Sequence, residues 1–66
     1  MQNIIKTERL AKSLTQEDLA EAMQVSRQTI NAIETERYTP SLSLAMQLAK
    51  YFGKKVEEMF VADEEG

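Results

Sequence analysis

Neither cysteine nor histidine occurs anywhere in this chain of 66 residues. A domain this small buries little surface, and chains of its size commonly rely on disulfides or a structural metal. Without those two residue types neither staple forms, so the core is purely hydrophobic or is shared with a second copy. The same absences exclude thiolate catalysis and any nucleophile–imidazole pair. No phosphate-cradling glycine loop and no metal-ligand cluster appears, so neither an enzyme nor a cofactor is expected. The lack of cysteine suits a reducing cytoplasm. The longest apolar run is the four residues Met59 to Ala62, too short for a membrane span or a signal-peptide core.

Punctuation by glycine and proline is sparse: Pro40, Gly53 and the terminal Gly66. No stretch alternates apolar and polar residues as a half-buried strand does, and helix formers dominate, which predicts an all-α fold. Capping chemistry sets the boundaries. Thr15 followed by Asp18 reads as a capping box opening a helix with Leu19 and Met23 on its inner face. Ser26 opens the next, through Ile30 and Ile33 to about Thr35. Pro40 holds Thr39 extended, and Ser41 caps a fourth helix that closes at Gly53. A first helix spans about Asn3 to Lys12. A short fifth, Val56 to Phe60, has Lys55 where a better cap would stand. Leu44, Leu48 and Phe52 recur at helical spacing and make the fourth helix the centre of the core. Val56, Met59 and Phe60 either close that core or form an interface with a second copy. One domain over residues 1–62 and an acidic disordered tail over 63–66 are expected.

The informative segment runs from Gln16 to Glu34. A helix, a short break at Gln24-Val25-Ser26 and a second helix give the layout of a helix-turn-helix. Ala20 supplies the small residue where the two helices cross, and Val25 the apolar plug of the turn. Arg27, Gln28, Thr29 and Asn31 put hydrogen-bonding side chains at the start of the second helix. Arg pairs bidentately with guanine O6 and N7, Gln with adenine N6 and N7, and Thr with a base edge or a thymine methyl. Gln16 adds an amide to a helix N-terminus already suited to a phosphate.

The run Leu14-Thr15-Gln16-Glu17-Asp18-Leu19-Ala20, continued by Val25-Ser26-Arg27-Gln28-Thr29-Ile30-Asn31-Ala32-Ile33-Glu34, resembles the Cro/C1-type, or XRE, family of bacterial and phage transcription regulators. The similarity extends through Tyr38-Thr39-Pro40-Ser41-Leu42 and Gly53 to Glu57-Glu58-Met59-Phe60, covering about residues 4 to 60. The resemblance implies a compact five-helix, lambda-repressor-like domain and double-stranded DNA as partner. It is closest to the minimal, stand-alone members, with no small-molecule effector evident. It implies base contacts by Arg27, Gln28 and Thr29, and a phosphate held by Gln16, which also braces Gln28. Asn31 then lies near the groove wall, Arg37 and Tyr38 touch the DNA backbone, and Arg9 with Glu34 is a structural brace. The family usually places Asn-Gly after that glutamate, where the glycine takes a left-handed cap. Here Thr35-Glu36 stand instead, at a cost of roughly 1 kcal/mol and with negative charge near the phosphates.

The net charge of −3 is local. Residues 1–53 carry six basic and six acidic side chains, and residues 54–66 carry the whole deficit. Few cations are placed for phosphates, which predicts modest non-specific DNA binding. One recognition helix also reads too few base pairs to define a site. A homodimer on a pseudo-palindrome, with half-sites about 34 Å apart, is the expected remedy. The function expected is a sequence-specific, dimeric repressor without a membrane partner. The alternative is a protein-interaction module, or an antitoxin-like partner, that keeps the frame with weak or no DNA binding.

Overall fold

Hydroxyl side chains start three of the helices. In the computed structural model, which describes residues 1–61, the Thr15 hydroxyl accepts the Asp18 N–H at 3.0 Å and opens α2, Gln16–Met23. Ser26 accepts from Thr29 N–H at 3.1 Å and opens α3, Arg27–Glu34. Ser41 accepts from Leu44 N–H at 3.2 Å and opens α4, Leu42–Phe52. Helix α1, Ile5–Ala11, begins differently: its first N–H is taken by the side chain of Asn3, two residues upstream. The short α5, Val56–Met59, has no capping hydroxyl, and Glu58 instead accepts the Lys55 N–H at 2.8 Å.

The ends are as regular as the starts. Helices α1 to α4 all close with a residue of positive φ, at Ser13, Gln24, Glu36 and Gly53. In each case the N–H of the following residue reaches back to the last turn: Leu14 to Arg9, Val25 to Ala20, Arg37 to Ala32, Lys54 to Ala49. This is the Schellman arrangement, which satisfies carbonyls that a helix end otherwise leaves orphaned. Only the last of the four has the glycine that suits this backbone.

The all-α expectation needs one amendment. Gln2–Asn3, β1, pairs antiparallel with Phe60–Val61, β2, in the register Gln2↔Val61 and Asn3↔Phe60. Two residues per strand are too few to leave an alternation in the sequence, and the partners come from opposite ends of the chain. The ribbon also ends α5 at Met59, so Phe60 is extended rather than helical.

Helix α2 packs on α3 and α4, and α5 closes over α4. Ile5, Leu19, Ile30, Ile33, Leu48 and Met59 are the fully buried side chains at the centre. Met59 is 0% exposed and Phe60 6%, so both close the core of a single chain. Of the three residues considered for an interface, Val56 alone is half-buried. The tail at 63–66 lies outside the described residues.

Candidate nucleic-acid interface

The turn between α2 and α3 presents the first turn of α3 to the outside. Gln24 adopts φ 61°, which reverses the chain, and Val25 then packs against the core. Ala20, 4% exposed, is the small residue on the buried face of α2. Ile30 and Ile33, three residues apart, lie at 0% and 1% exposure, so α3 is fixed by one face. Its first two residues, Arg27 and Gln28, are exposed.

Each candidate contact can be placed. The Gln28 amide makes no hydrogen bond among the described residues, leaving both its donor and its acceptor for a ligand. Thr29 is half-buried, with its hydroxyl 3.0 Å from that of Ser26 at the helix cap. Asn31 has an exposed side chain, and its carbonyl accepts from the Thr35 hydroxyl at 2.9 Å. Arg37 and Tyr38 follow α3 with exposed side chains, their N–H groups both bonded to the Ala32 carbonyl. Between Glu34 and these two stands Glu36, exposed and left-handed at φ 64°.

Behind α3 lies a charged cluster that joins three helices. Arg9 of α1 meets Glu34 of α3 through two bonds, Nε to Oε2 at 2.7 Å and Nη2 to Oε1 at 3.1 Å. Its Nη1 donates to the Leu14 carbonyl at 2.8 Å. The two side chains are 8% and 3% exposed, so this ion pair is largely out of water. Gln16, at the start of α2, donates from Nε2 to Glu34 Oε1 at 3.1 Å. That leaves Gln16 Oε1 facing the Arg27 guanidinium, at a loose 3.5 Å. The expected brace from Gln16 to Gln28 does not form. The buried carboxylate draws the amide donor inward, and the outward-facing acceptor then suits a cation.

At the other side of this cluster, Asp18 completes the capping box by accepting the Thr15 N–H at 2.9 Å. That backbone bond, and second the Thr15 hydroxyl, hold the Asp18 carboxyl below its ordinary value. Among the described residues no group of acidic side chains is arranged to hold a metal, and no helix is long and apolar enough to cross a membrane.

Order, spacing and exposure of α2 and α3 agree with a family model described as helix-turn-helix, which matches residues 5–59. The chain belongs to the XRE-type helix-turn-helix family. It is 51% identical over 65 residues to an HTH-type transcriptional regulator of Methanocaldococcus jannaschii, covering 98% of each chain. A regulator from Methanothermobacter thermautotrophicus is 46% identical over 67 residues, covering 100% of this chain and 97% of the relative. The HTH-type regulator YgzD of Bacillus subtilis is 43% identical over 65 residues, again with 98% of each chain covered. All three are named as uncharacterized. Within the helix-turn-helix, α2 is the first helix and α3 the second, the position that the recognition helix takes in this motif.

One polar residue tied to this helix-turn-helix is not legible in the sequence. Asn3 donates from Nδ2 to the carbonyl of Ile33 in the last turn of α3, at 2.9 Å. An asparagine just ahead of a helix reads as a cap, but a partner 30 residues away leaves no local signal.

Proposed function

We propose that this chain is a sequence-specific double-stranded-DNA-binding regulator of transcription, acting in the cytoplasm as a repressor. It binds as a homodimer to a pseudo-palindromic operator, with α3 of each copy in the major groove. The observation that carries this reading is the first turn of α3. Arg27 and Gln28 stand exposed there on a helix that is held to the core by the buried Ile30 and Ile33. Arg27 suits guanine and Gln28 adenine, with Thr29 at the edge of the contact. Arg37 and Tyr38 touch the DNA backbone, and Asn31 lies near the groove wall. Gln16, at the start of α2, holds a phosphate, with its Oε1 facing Arg27. Repression needs only occupancy of a promoter and no cofactor or effector.

Selection of binding sites from a random duplex library tests this directly. A two-fold symmetric consensus is expected. Arg27→Ala and Gln28→Ala should each cost about 1–3 kcal/mol on the selected duplex and less on random DNA. Wild-type affinity in both variants would show that the assignment of α3 is wrong. One observation favours the rival reading of a protein-interaction module, namely the exposed Glu36 beside α3. Salt titration against random duplex separates the two readings. A DNA reader binds at low salt and loses affinity steeply as salt rises, whereas the rival binds weakly or not at all even at low salt.

A further inference from the structure

Asn3 lies outside the helix-turn-helix, at the end of β1, and its side chain makes two hydrogen bonds with opposite chemistry. Oδ1 accepts the Ile5 N–H at 3.1 Å, and Nδ2 donates to the Ile33 carbonyl at 2.9 Å. Only one orientation of the amide satisfies both, because Ile5 offers a donor and Ile33 an acceptor. Aspartate at this position keeps the first bond and loses the second. The backbone of Asn3 and its neighbours is itself held down, since Asn3 pairs with Phe60 and the Ile4 N–H donates to the Met59 carbonyl at 3.1 Å. The side chain therefore connects the terminal ribbon to the far end of the recognition helix.

We propose that Asn3 is a positioning residue for DNA reading, anchoring the last turn of α3 to the β1–β2 ribbon and so setting the tilt of Arg27 and Gln28. This rests on the assignment of α3 as the recognition helix. Helix α3 has eight residues and is about 12 Å long, with its reading end at Arg27 and its anchored end at Ile33 and Glu34. Arg9 grips Glu34 from α1, and Asn3 grips Ile33 from the ribbon. The buried Ile30 and Ile33 fix one face of α3, and the bond from Asn3 adds a restraint on the backbone of the residue next to Glu34. A tilt of about 5° at the anchored end moves the reading end by about 1 Å, the scale at which a preorganised contact is lost. The Ile33 carbonyl also accepts the Glu36 N–H at 3.0 Å, so the same oxygen supports the turn that leads to Arg37 and Tyr38.

The test uses the full chain with Asn3→Asp, which keeps the bond to Ile5 and replaces the donor to Ile33 by a charged acceptor, and Asn3→Ala, which removes both bonds. Affinities for the selected duplex and a random duplex are measured beside melting temperature and amide hydrogen exchange without DNA. The expected result is a loss of about tenfold on the selected duplex relative to the random one, in both variants. Exchange at Glu36, Arg37 and Tyr38 should also quicken. The negative charge that Asn3→Asp introduces weakens both duplexes alike and cancels in that ratio. Undiminished discrimination in both variants overturns the proposal. So does an equal loss on both duplexes that follows a fall in melting temperature, which marks Asn3 as ordinary packing. A wild-type chain that prefers no duplex refutes the DNA reading, and the positioning role falls with it. Faster exchange at Glu36 to Tyr38 then identifies Asn3 as an anchor of α3 with no part in DNA reading.

Discussion

Among the described residues, three with side chains occupy a backbone conformation that favours glycine: Ser13, Gln24 and Glu36, at φ 59°, 61° and 64°. A Cβ in the left-handed region crowds the carbonyl, at a cost of roughly 1 kcal/mol for each residue. All three sites are exposed, and neither Gln24 nor Glu36 makes a side-chain hydrogen bond among the described residues. Glu36→Gly and Gln24→Gly are each expected to stabilise the fold by about 0.5–1 kcal/mol, read as a higher urea midpoint at unchanged slope. Glu36→Gly should in addition strengthen binding to random duplex at low salt, because it removes an anionic side chain beside α3. Asp18 gives a pH-dependent counterpart. Its folded pKa is lowered, so its contribution is complete above the ordinary carboxylate value and disappears as pH falls through the lowered one. In Asp18→Asn the loss of stability on acidification below about pH 4 should be shallower than in the wild type, as followed by denaturation at successive pH values.

At the scale of elements, α1, α2 and α3 are joined through one carboxylate. Glu34 receives Arg9 and Gln16 at once, with both members of the ion pair almost fully buried. Removing one partner of such a pair strands the other charge, which costs about 3–5 kcal/mol, a large share of a small domain's stability. Glu34→Ala is therefore expected to unfold at much lower urea than the wild type. Arg9→Met combined with Glu34→Leu should lose less than the sum of the single variants, because no charge is then left buried. A double-mutant cycle measures the difference. Helix starts are legible in the sequence because Thr15, Ser26 and Ser41 bond to amides three residues on. The reversals at Ser13 and Gln24 are not, since neither residue type announces a left-handed turn. The ribbon is not legible either: Gln2 and Val61 have no local pattern and meet only because the tertiary fold brings these distant segments together.

At the scale of the whole molecule, the helix proposed to read DNA has eight residues and the body over 1–53 is neutral, so on that reading a single copy has little with which to define or hold a site. Binding is accordingly expected to be cooperative in protein concentration on a duplex with two half-sites about 34 Å apart. A single half-site, or two half-sites moved by half a helical turn, should bind far more weakly in a gel-shift titration. Met59 and Phe60 are spent on the core of one chain, which leaves the half-buried Val56 as the member of that group within reach of a second copy. What the sequence determined by itself was local: where helices begin, which face of each is apolar, and which side chains stand at the start of α3. Caps act over three residues and periodicity over four, so these are written along the chain. Tertiary structure decided which partner each polar side chain takes. Gln16 turned inward to Glu34, 18 positions away, and Asn3 to Ile33, 30 positions away. It also decided that Met59 and Phe60 face inward. Those choices depend on which groups the packed core brings within hydrogen-bonding reach and shields from water, and no stretch of a few residues contains that information.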